Sequence, residues 1–289
     1  MIRHDIDALK KRIGDRMVVA SVSGGKDSTA MCLYLRELGI PYRAVFIDVG
    51  WDHADVYQFV NEVLPQHIGP IETIKLDIDI LPESAHHVAH LEGLLGRESP
   101  MVRIVFQKLI FPQRMRRWCT RELKIEPMRI YMDALDVEPV NATGVRAVES
   151  ARRAKFSEWE EWGTVDIEQW RPILKWTDQE VVDIHKKHKV PPNPLYLRGA
   201  SRVGCWPCIF ASKKDLRNMA ETDPSRIELM EYFEAAVHDM SNERRMSKGE
   251  EQRWNKATWF LSKMPVRDPA TGTRAADPWP IKTAVEWAQ

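Results

Sequence analysis

Cysteine is scarce in this chain: four residues in 289, at Cys32, Cys119, Cys205 and Cys208. That is too few to staple a fold of this length with disulfides, and in a reducing compartment a Cys-x-x-Cys pair points to a metal or redox site instead. No apolar run approaches the roughly 20 residues of a membrane span. The opening Met1-Ile2-Arg3-His4-Asp5 lacks the long apolar core of a secretory signal. The expectation is a cytoplasmic protein with no membrane partner. Excess charge is also missing, since 42 basic side chains balance 42 acidic ones. A cationic nucleic-acid coat is thereby excluded, whereas a local basic patch is not. There is no internal repeat and no low-complexity tract. The length suits one large α/β unit with a smaller appendage.

Strand and helix patterns alternate over the first two-thirds. Apolar runs predict strands at 17–22, 43–48, 71–76, 138–144 and 170–174, and periodicity predicts helices at about 5–14, 28–38, 54–65, 101–110, 121–135 and 177–188. Such alternation implies a parallel sheet sandwiched by helices, with ligands at the carboxyl ends of the strands. Asp48 ends the second strand and so falls beside such a ligand; the plain alternative is a turn or capping aspartate. Pro191-Pro192-Asn193-Pro194 breaks the regular pattern. The organisation expected is an α/β domain over 1–198, then a Cys-x-x-Cys turn and helical C-terminal extension over 199–289. Helices are expected there at about 211–221, 224–240 and 250–262, with Asp223 as N-cap and Pro224 at the first helical position. The tail from Pro265 reads as irregular. Trp254, Trp259, Trp279 and Trp287 read as core packing, with a base-stacking or partner surface as the alternative.

Between the first strand and the next helix lies Ser23-Gly24-Gly25-Lys26-Asp27-Ser28-Thr29. A glycine-rich turn there leaves backbone N–H groups unpaired at a helix N-terminus, which attracts phosphate. Gly24 and Gly25 permit the tight path and close approach of an anion. Lys26 adds positive charge, and Ser23, Ser28 and Thr29 add hydroxyls. The spacing is not that of a Walker A loop, because Asp27 follows the lysine. A bare Gly-Gly turn between core elements is the bland alternative. The pattern Ser-Gly-Gly-x-Asp-Ser resembles the PP-loop of the ATP pyrophosphatase superfamily, whose members hold ATP by its pyrophosphate and cleave between the α- and β-phosphates.

Cys205-Trp206-Pro207-Cys208 has metal-ligand spacing, but two thiols do not complete a four-coordinate site. Cys119 is the natural third ligand, since the arginines around it favour thiolate. Catalytic zinc, a 4Fe–4S cluster with one open iron, a redox disulfide and two packed thiols at a turn all remain open on spacing alone. Cys32 sits among apolar helix residues and reads as buried core. His86 and His90 would share a helical face and invite a metal reading, but no carboxylate motif accompanies them, and the segment with His87 reads as a loop.

Several further segments occur in one order, and together they carry a family resemblance. They are Phe46-Ile47-Asp48-Val49-Gly50, Trp118-Cys119-Thr120-Arg121-Glu122-Leu123-Lys124, Gly144-Val145-Arg146-Ala147-Val148-Glu149-Ser150-Ala151-Arg152, Arg171-Pro172-Ile173-Leu174-Lys175-Trp176-Thr177, Asn193-Pro194-Leu195-Tyr196 and Gly204-Cys205-Trp206-Pro207-Cys208. From residue 17 to about 210 the chain is similar to the phosphoadenosine-phosphosulfate-reductase-like branch of the PP-loop, adenine nucleotide alpha hydrolase-like proteins. The resemblance implies that Gly144, Arg146, Glu149 and Arg152 lie across the cleft from the phosphate loop. The guanidinium groups suit phosphate or sulfate, and Glu149 would orient Arg146 or meet the ribose. A solvated charge pattern, with Glu149 pairing Arg152 or Arg153, is the alternative.

Two departures separate this chain from the assimilatory sulfonucleotide reductases that the family contains. Trp118 stands where cluster-bearing reductases have the first cysteine of a Cys-Cys pair, leaving three ligands. No cysteine follows Cys208, whereas those reductases carry a nucleophilic one near the C-terminus. The phosphate loop is also the full form expected for ATP. The chain therefore resembles the enzymes that thiolate transfer RNA and those that phosphorothioate DNA. That resemblance implies ATP cleavage, Mg²⁺ and a 4Fe–4S cluster on Cys119, Cys205 and Cys208, with zinc as the other metal. Lys26, Asp27, Ser28 and Arg146 would be catalytic, with Asp27 helping to hold Mg²⁺. The partners implied are a nucleotide substrate, a DNA or RNA acceptor and a sulfur-donor protein such as a cysteine desulfurase. Arg114, Arg116, Arg117, Arg121 and Lys124 form a basic patch that could meet nucleic-acid phosphate; a solvated surface, or the surround of an anionic cluster, is the alternative. A sulfonucleotide reductase and a non-catalytic nucleotide-binding component are the competing functions.

Overall fold

The sheet forms where the apolar runs are densest. Met17–Val22 (β1), Tyr42–Ile47 (β2), Ile71–Ile74 (β3), Pro139–Thr143 (β4), Trp159–Glu161 (β5) and Glu168–Trp170 (β6) assemble in the order β3-β2-β1-β4-β6-β5. Neighbours pair in parallel except β5 and β6, which are antiparallel at one edge. The computed structural model describes residues 4–163, 167–252, 257–261, 266–267, 274–275 and 278–288. Helices cover both faces, so alternate side chains of β1 enter different layers. Val19 packs with Val45 against Met128 and Met132 of the helix Glu126–Asp133. Val18, Ala20 and Val22 face the larger core with Met31, Leu33 and Leu35.

Strand order positions the site. From β1 the chain passes to β2 on one side, while β4 lies on the other. The turn after β1 and the turn after β4 therefore meet at a point where the winding reverses, which is where open α/β sheets form their ligand crevice. Ser23–Gly25 and Gly144–Arg146 are those two turns.

The C-terminal region is helical and shares the same core. Helix Pro224–Met246 buries Leu229, Met230, Phe233 and Val237. Phe233 meets Trp51 with ring centroids 5.8 Å apart, and Trp51 stacks on Trp259 at 5.1 Å and 23°. One buried apolar cluster runs from Leu9 to Ala288, so no break in the core marks the boundary expected after residue 198.

Five expectations change. The strand expected at 170–174 ends at Trp170, and its first residues are Glu168 and Gln169. The helix expected at 250–262 is absent from its described residues, which run as coil and then the short strand Phe260–Leu261; residues 253–256, with Trp254, and residue 262 lie outside the described residues. The tail from Pro265, expected to be irregular, contains helix Ile281–Ala288, which buries Ile281, Ala284, Val285 and Ala288 at helical spacing. His86, His87 and His90 lie on helix Ala85–Leu95 and not in a loop; His87 Nδ1 is 2.7 Å from Tyr232 Oη on helix Pro224–Met246. Of the tryptophans expected in the core, Trp259 is buried, but Trp287 is 47% exposed. Among the described residues no helix is long and apolar enough to cross a membrane.

Candidate active site

Helix Lys26–Glu37 begins where Gly25, in an extended conformation, ends the turn after β1. Gly24 has φ +71°, a region that disfavours side chains, and a Cβ there would sit 3.1 Å from Val56 and Val60. Among the described residues, the backbone N–H groups of Gly24, Gly25, Asp27 and Ser28 donate to no protein atom. Four orphan donors at a helix start form an anion cradle. Its hydroxyls are shared with the loop itself. Ser28 Oγ donates to Gly25 O at 3.0 Å and accepts from Ser23 N at 3.2 Å. Thr29, expected to offer its hydroxyl to phosphate, is wholly buried and donates to Gly25 O at 3.1 Å; it braces the turn. Ser23 is exposed, with its Oγ 3.2 Å from Ser28 Oγ.

Three residues to which the sequence reading assigned no role pin the loop from outside. Tyr196 Oη accepts from Lys26 N at 3.2 Å, Asn193 Nδ2 donates to Gly24 O at 3.3 Å, and His185 Nε2 donates to Lys26 O at 2.8 Å. Burial lowers the His185 pKa, which suits a neutral ring donating to a carbonyl. The only signal for Asn193 and Tyr196 was the Asn193-Pro194-Leu195-Tyr196 segment, which named residues without placing them, and His185 had none.

Gly144 lies directly against the loop. A Cβ on it would stand 2.7 Å from both Asp27 O and Ser28 N. Arg146 follows, with its side chain 2% exposed; Nε donates to Asp27 Oδ1 at 2.5 Å and Nη2 to Asp178 Oδ1 at 2.7 Å. Burial opposes this charge, but Asp178 and Asp27 outweigh it and raise the Arg146 pKa. Lys26 Nζ joins at 3.0 Å from Asp27 and 3.6 Å from Asp178. Arg146 therefore sits in a neutral network of two cations and two carboxylates, not alone on the wall of the cleft. Asp178 escaped the sequence reading because Thr177 and Glu180 form a capping box around it, in which an aspartate looks like ordinary helix-start chemistry. Glu149 accepts from Arg146 N at 2.9 Å and pairs with Arg153, which combines the orienting reading with the surface-pair one. Arg152 is exposed. Asp48 takes the turn role: its Oδ1 accepts from Gly50 N at 2.7 Å and Tyr57 Oη at 2.8 Å.

The thiols gather at the neighbouring strand end. Asp52, in the loop after β2, bridges to Cys205 as a β-pair, and Trp206 N donates to Trp51 O at 3.0 Å. Every pair among Cys119, Cys205 and Cys208 interacts electrostatically. Burial pushes the Cys205 and Cys119 thiols up, while Lys124 opposes the shift in both. Lys124 was expected in a surface patch. The residue is exposed, yet the charges of Cys205 first, then Asp52, Cys208 and Cys119, hold its pKa up against burial, so it shares the electrostatic field of the thiols. Val203, just before these cysteines, comes 3.9 Å from where a Gly25 Cβ would be, so the thiol loop abuts the phosphate loop.

The donor sets can be weighed against the groups implied. The orphan N–H groups and the space kept open by Gly144 suit a phosphate chain. Asp27 and Asp178 suit Mg²⁺, which is bound through one or two carboxylates together with substrate phosphates. Three thiols with an ammonium beside them suit a thiolate-held centre, although among the described residues no three His, Cys, Asp or Glu side chains are already drawn together around a metal position. Cys32 is fully buried, and burial pushes its thiol up to about 12. In reduced, metal-free protein near pH 8 it is expected to stay unalkylated until guanidinium unfolds the chain, as mass spectrometry of labelled peptides would show; rapid native labelling of Cys32 would contradict its core position.

The family model of the phosphoadenosine phosphosulfate reductase domain matches residues 17–90 and 96–211. The chain belongs to that family. An "Uncharacterized 37.8 kDa protein in gpa 5′ region" of Escherichia phage 186 is 33% identical over 250 residues, covering 76% of this chain and 75% of the phage protein. Adenosine 5′-phosphosulfate reductase of Allochromatium vinosum is 35% identical over 199 residues, covering 68% and 69%. Among solved structures, phosphoadenylyl-sulfate reductase of Candida auris matches with TM-score 0.46 and 16% identity over 72% of this chain and 97% of that one. This reductase-family chain thus has relatives that are enzymes acting on sulfonucleotides, and its own phosphate loop, cradle and cysteine loop all fall within the matched residues.

Proposed function

We propose that this protein is an ATP-cleaving PP-loop enzyme that activates an acceptor by adenylation and delivers sulfur to it. The observation that carries the reading is the contact between an intact, unpartnered phosphate cradle and a loop bearing two of three mutually interacting thiols. In this reading the N–H groups of Gly24, Gly25, Asp27 and Ser28, with Lys26, hold the β- and γ-phosphates as they leave. An acceptor oxygen attacks the α-phosphorus and loses its proton to solvent, the bond to the bridging oxygen of the β-phosphate breaks, and pyrophosphate departs. A sulfur nucleophile then displaces AMP from the acceptor. Asp27 and Asp178 would hold Mg²⁺, which neutralises triphosphate charge. A cluster on Cys119, Cys205 and Cys208 would supply an iron with an open position for sulfur. Arg146 and Tyr196 position the loop.

A sulfonucleotide reductase is the second reading, favoured by the names of the relatives. Incubation of anaerobically purified protein with ATP, sulfide and total nucleic acid, or with adenylyl sulfate and a dithiol reductant, separates the two. Pyrophosphate and AMP from ATP, with about four irons and matching sulfide per chain, are expected. Sulfite from adenylyl sulfate without ATP cleavage would replace the proposal with the second reading, and stoichiometric zinc would move the chemistry towards Lewis-acid activation.

A further inference from the structure

We propose that the collar around the three cysteines is a docking surface for single-stranded nucleic acid, the acceptor in the reaction proposed above and dependent on that reading for its catalytic meaning. Residues 109–121 and 198–214 each contain four basic side chains and no Asp or Glu. In a chain with 42 acidic residues among 289, about four would fall in any thirty residues by composition. The two segments are joined: Arg114 Nε donates to Ile209 O at 3.1 Å and its Nη2 to Ala211 O at 3.4 Å. Arg121 pairs with Glu122 and Arg198 with Asp55 just outside the segments, which leaves six of the eight cations in no ion pair among the described residues, on the stretches that carry the thiols.

The same surface exposes aromatic rings. Phe210, two residues after Cys208, is 41% exposed, and the guanidinium carbons of Arg114 and Arg117 lie 5.8 Å from its centroid. Trp287 is 47% exposed, with Lys213 Nζ 3.8 Å from its ring. Among the described residues Arg116, Arg117, Lys213 and Lys214 have no carboxylate partner. Trp279 also packs edge-on against Trp287 with centroids 5.0 Å apart, so Phe210 is the ring left for a base. Cations for phosphates beside an exposed ring for a base is the arrangement that holds unpaired strands. Bases stacked inside a duplex cannot reach such a ring. A collar serving only to neutralise a thiolate-held centre would not need it.

Fluorescence anisotropy with a short labelled oligonucleotide tests this on the full chain, with single-stranded DNA, single-stranded RNA, duplex DNA and heparin as competitors. Four phosphate contacts predict a salt slope of about −3, or roughly 50-fold weaker binding between about 50 and 200 mM salt. Phe210→Ala is expected to weaken single-strand binding about tenfold. Arg116→Glu with Arg117→Glu should flatten the slope to about −1.5. Thermal melting confirms that each variant is folded, and the two variants test the surface independently. No binding, preference for duplex, or heparin competition with no effect of Phe210→Ala would overturn the surface. Pyrophosphate release is read separately: ATP cleavage without oligonucleotide binding defeats only the docking surface, and binding without ATP cleavage defeats only the adenylation reading. The DNA and RNA arms identify which strand is preferred.

Discussion

Gly144→Ala is expected to lower nucleotide affinity about 100-fold while leaving a folded protein. The new Cβ would lie 2.7 Å from Asp27 O and Ser28 N and 2.8 Å from Asp27 C. All three are backbone atoms, so no side chain can swing away. The turn after β4 and the start of helix Lys26–Glu37 must separate by roughly 0.7 Å to reach ordinary contact, a displacement of the order that costs 10²-fold when it misplaces binding groups. The displaced atoms include Ser28 N, one of the four cradle donors, so the loss falls on phosphate binding. Isothermal titration with a non-hydrolysable ATP analogue checks it. Affinity within about threefold of the parent would show that the cradle tolerates the shift or that nucleotide binds elsewhere.

The second large effect is on stability. Arg146→Ala removes a buried cation that ties two turns and a helix start together through Asp27, the Trp176 carbonyl and Asp178. Breaking a fully buried ion pair costs about 3–5 kcal/mol. Here the Asp27 side chain is 19% exposed and that of Asp178 is 78% exposed, so both carboxylates can regain water. A loss of about 2–3 kcal/mol is therefore expected, or roughly 5–10 °C in melting temperature. The acid limb should also change. Arg146, by hydrogen bond and charge, holds the Asp178 pKa below its ordinary 3.8. That contribution is complete above the unfolded value and is lost as pH falls through the lower folded value. In Arg146→Ala this step should shrink to the part that Lys26 sustains. A melting temperature within about 2 °C of the parent, with the same acid limb, would mean that Lys26 alone sustains the network.

The parts of the site that were legible in the sequence are those made by neighbours along the chain. Ser23 to Ser28 could be read as a phosphate turn because a strand, two glycines and a helix start within a few residues fix where the N–H groups point. The central strands were legible because burial on both faces demands continuous apolar runs. Helix Ile281–Ala288 was legible in principle, with apolar residues at helical spacing, but the prolines before it suggested an irregular tail. Strand β5, three residues with two glutamates, carries no such pattern and exists because β6 offers it an edge.

The amino-acid sequence by itself determined the class of fold, the glycine-rich turn after the first strand and which cysteines stood available, because these depend on local periodicity, backbone freedom and residue identity. Only the tertiary structure decided which groups share a charge: that Arg146 binds Asp27 and Asp178, that Lys124 shares the field of the thiols, and that Tyr196, Asn193 and His185 hold the loop. The pairs joining these residues are separated by 32 to 170 positions where the hydrogen bonds define them. Electrostatic and hydrogen-bond energies fall away over a few ångströms of space, so they follow the path of the folded backbone and leave no period in the sequence.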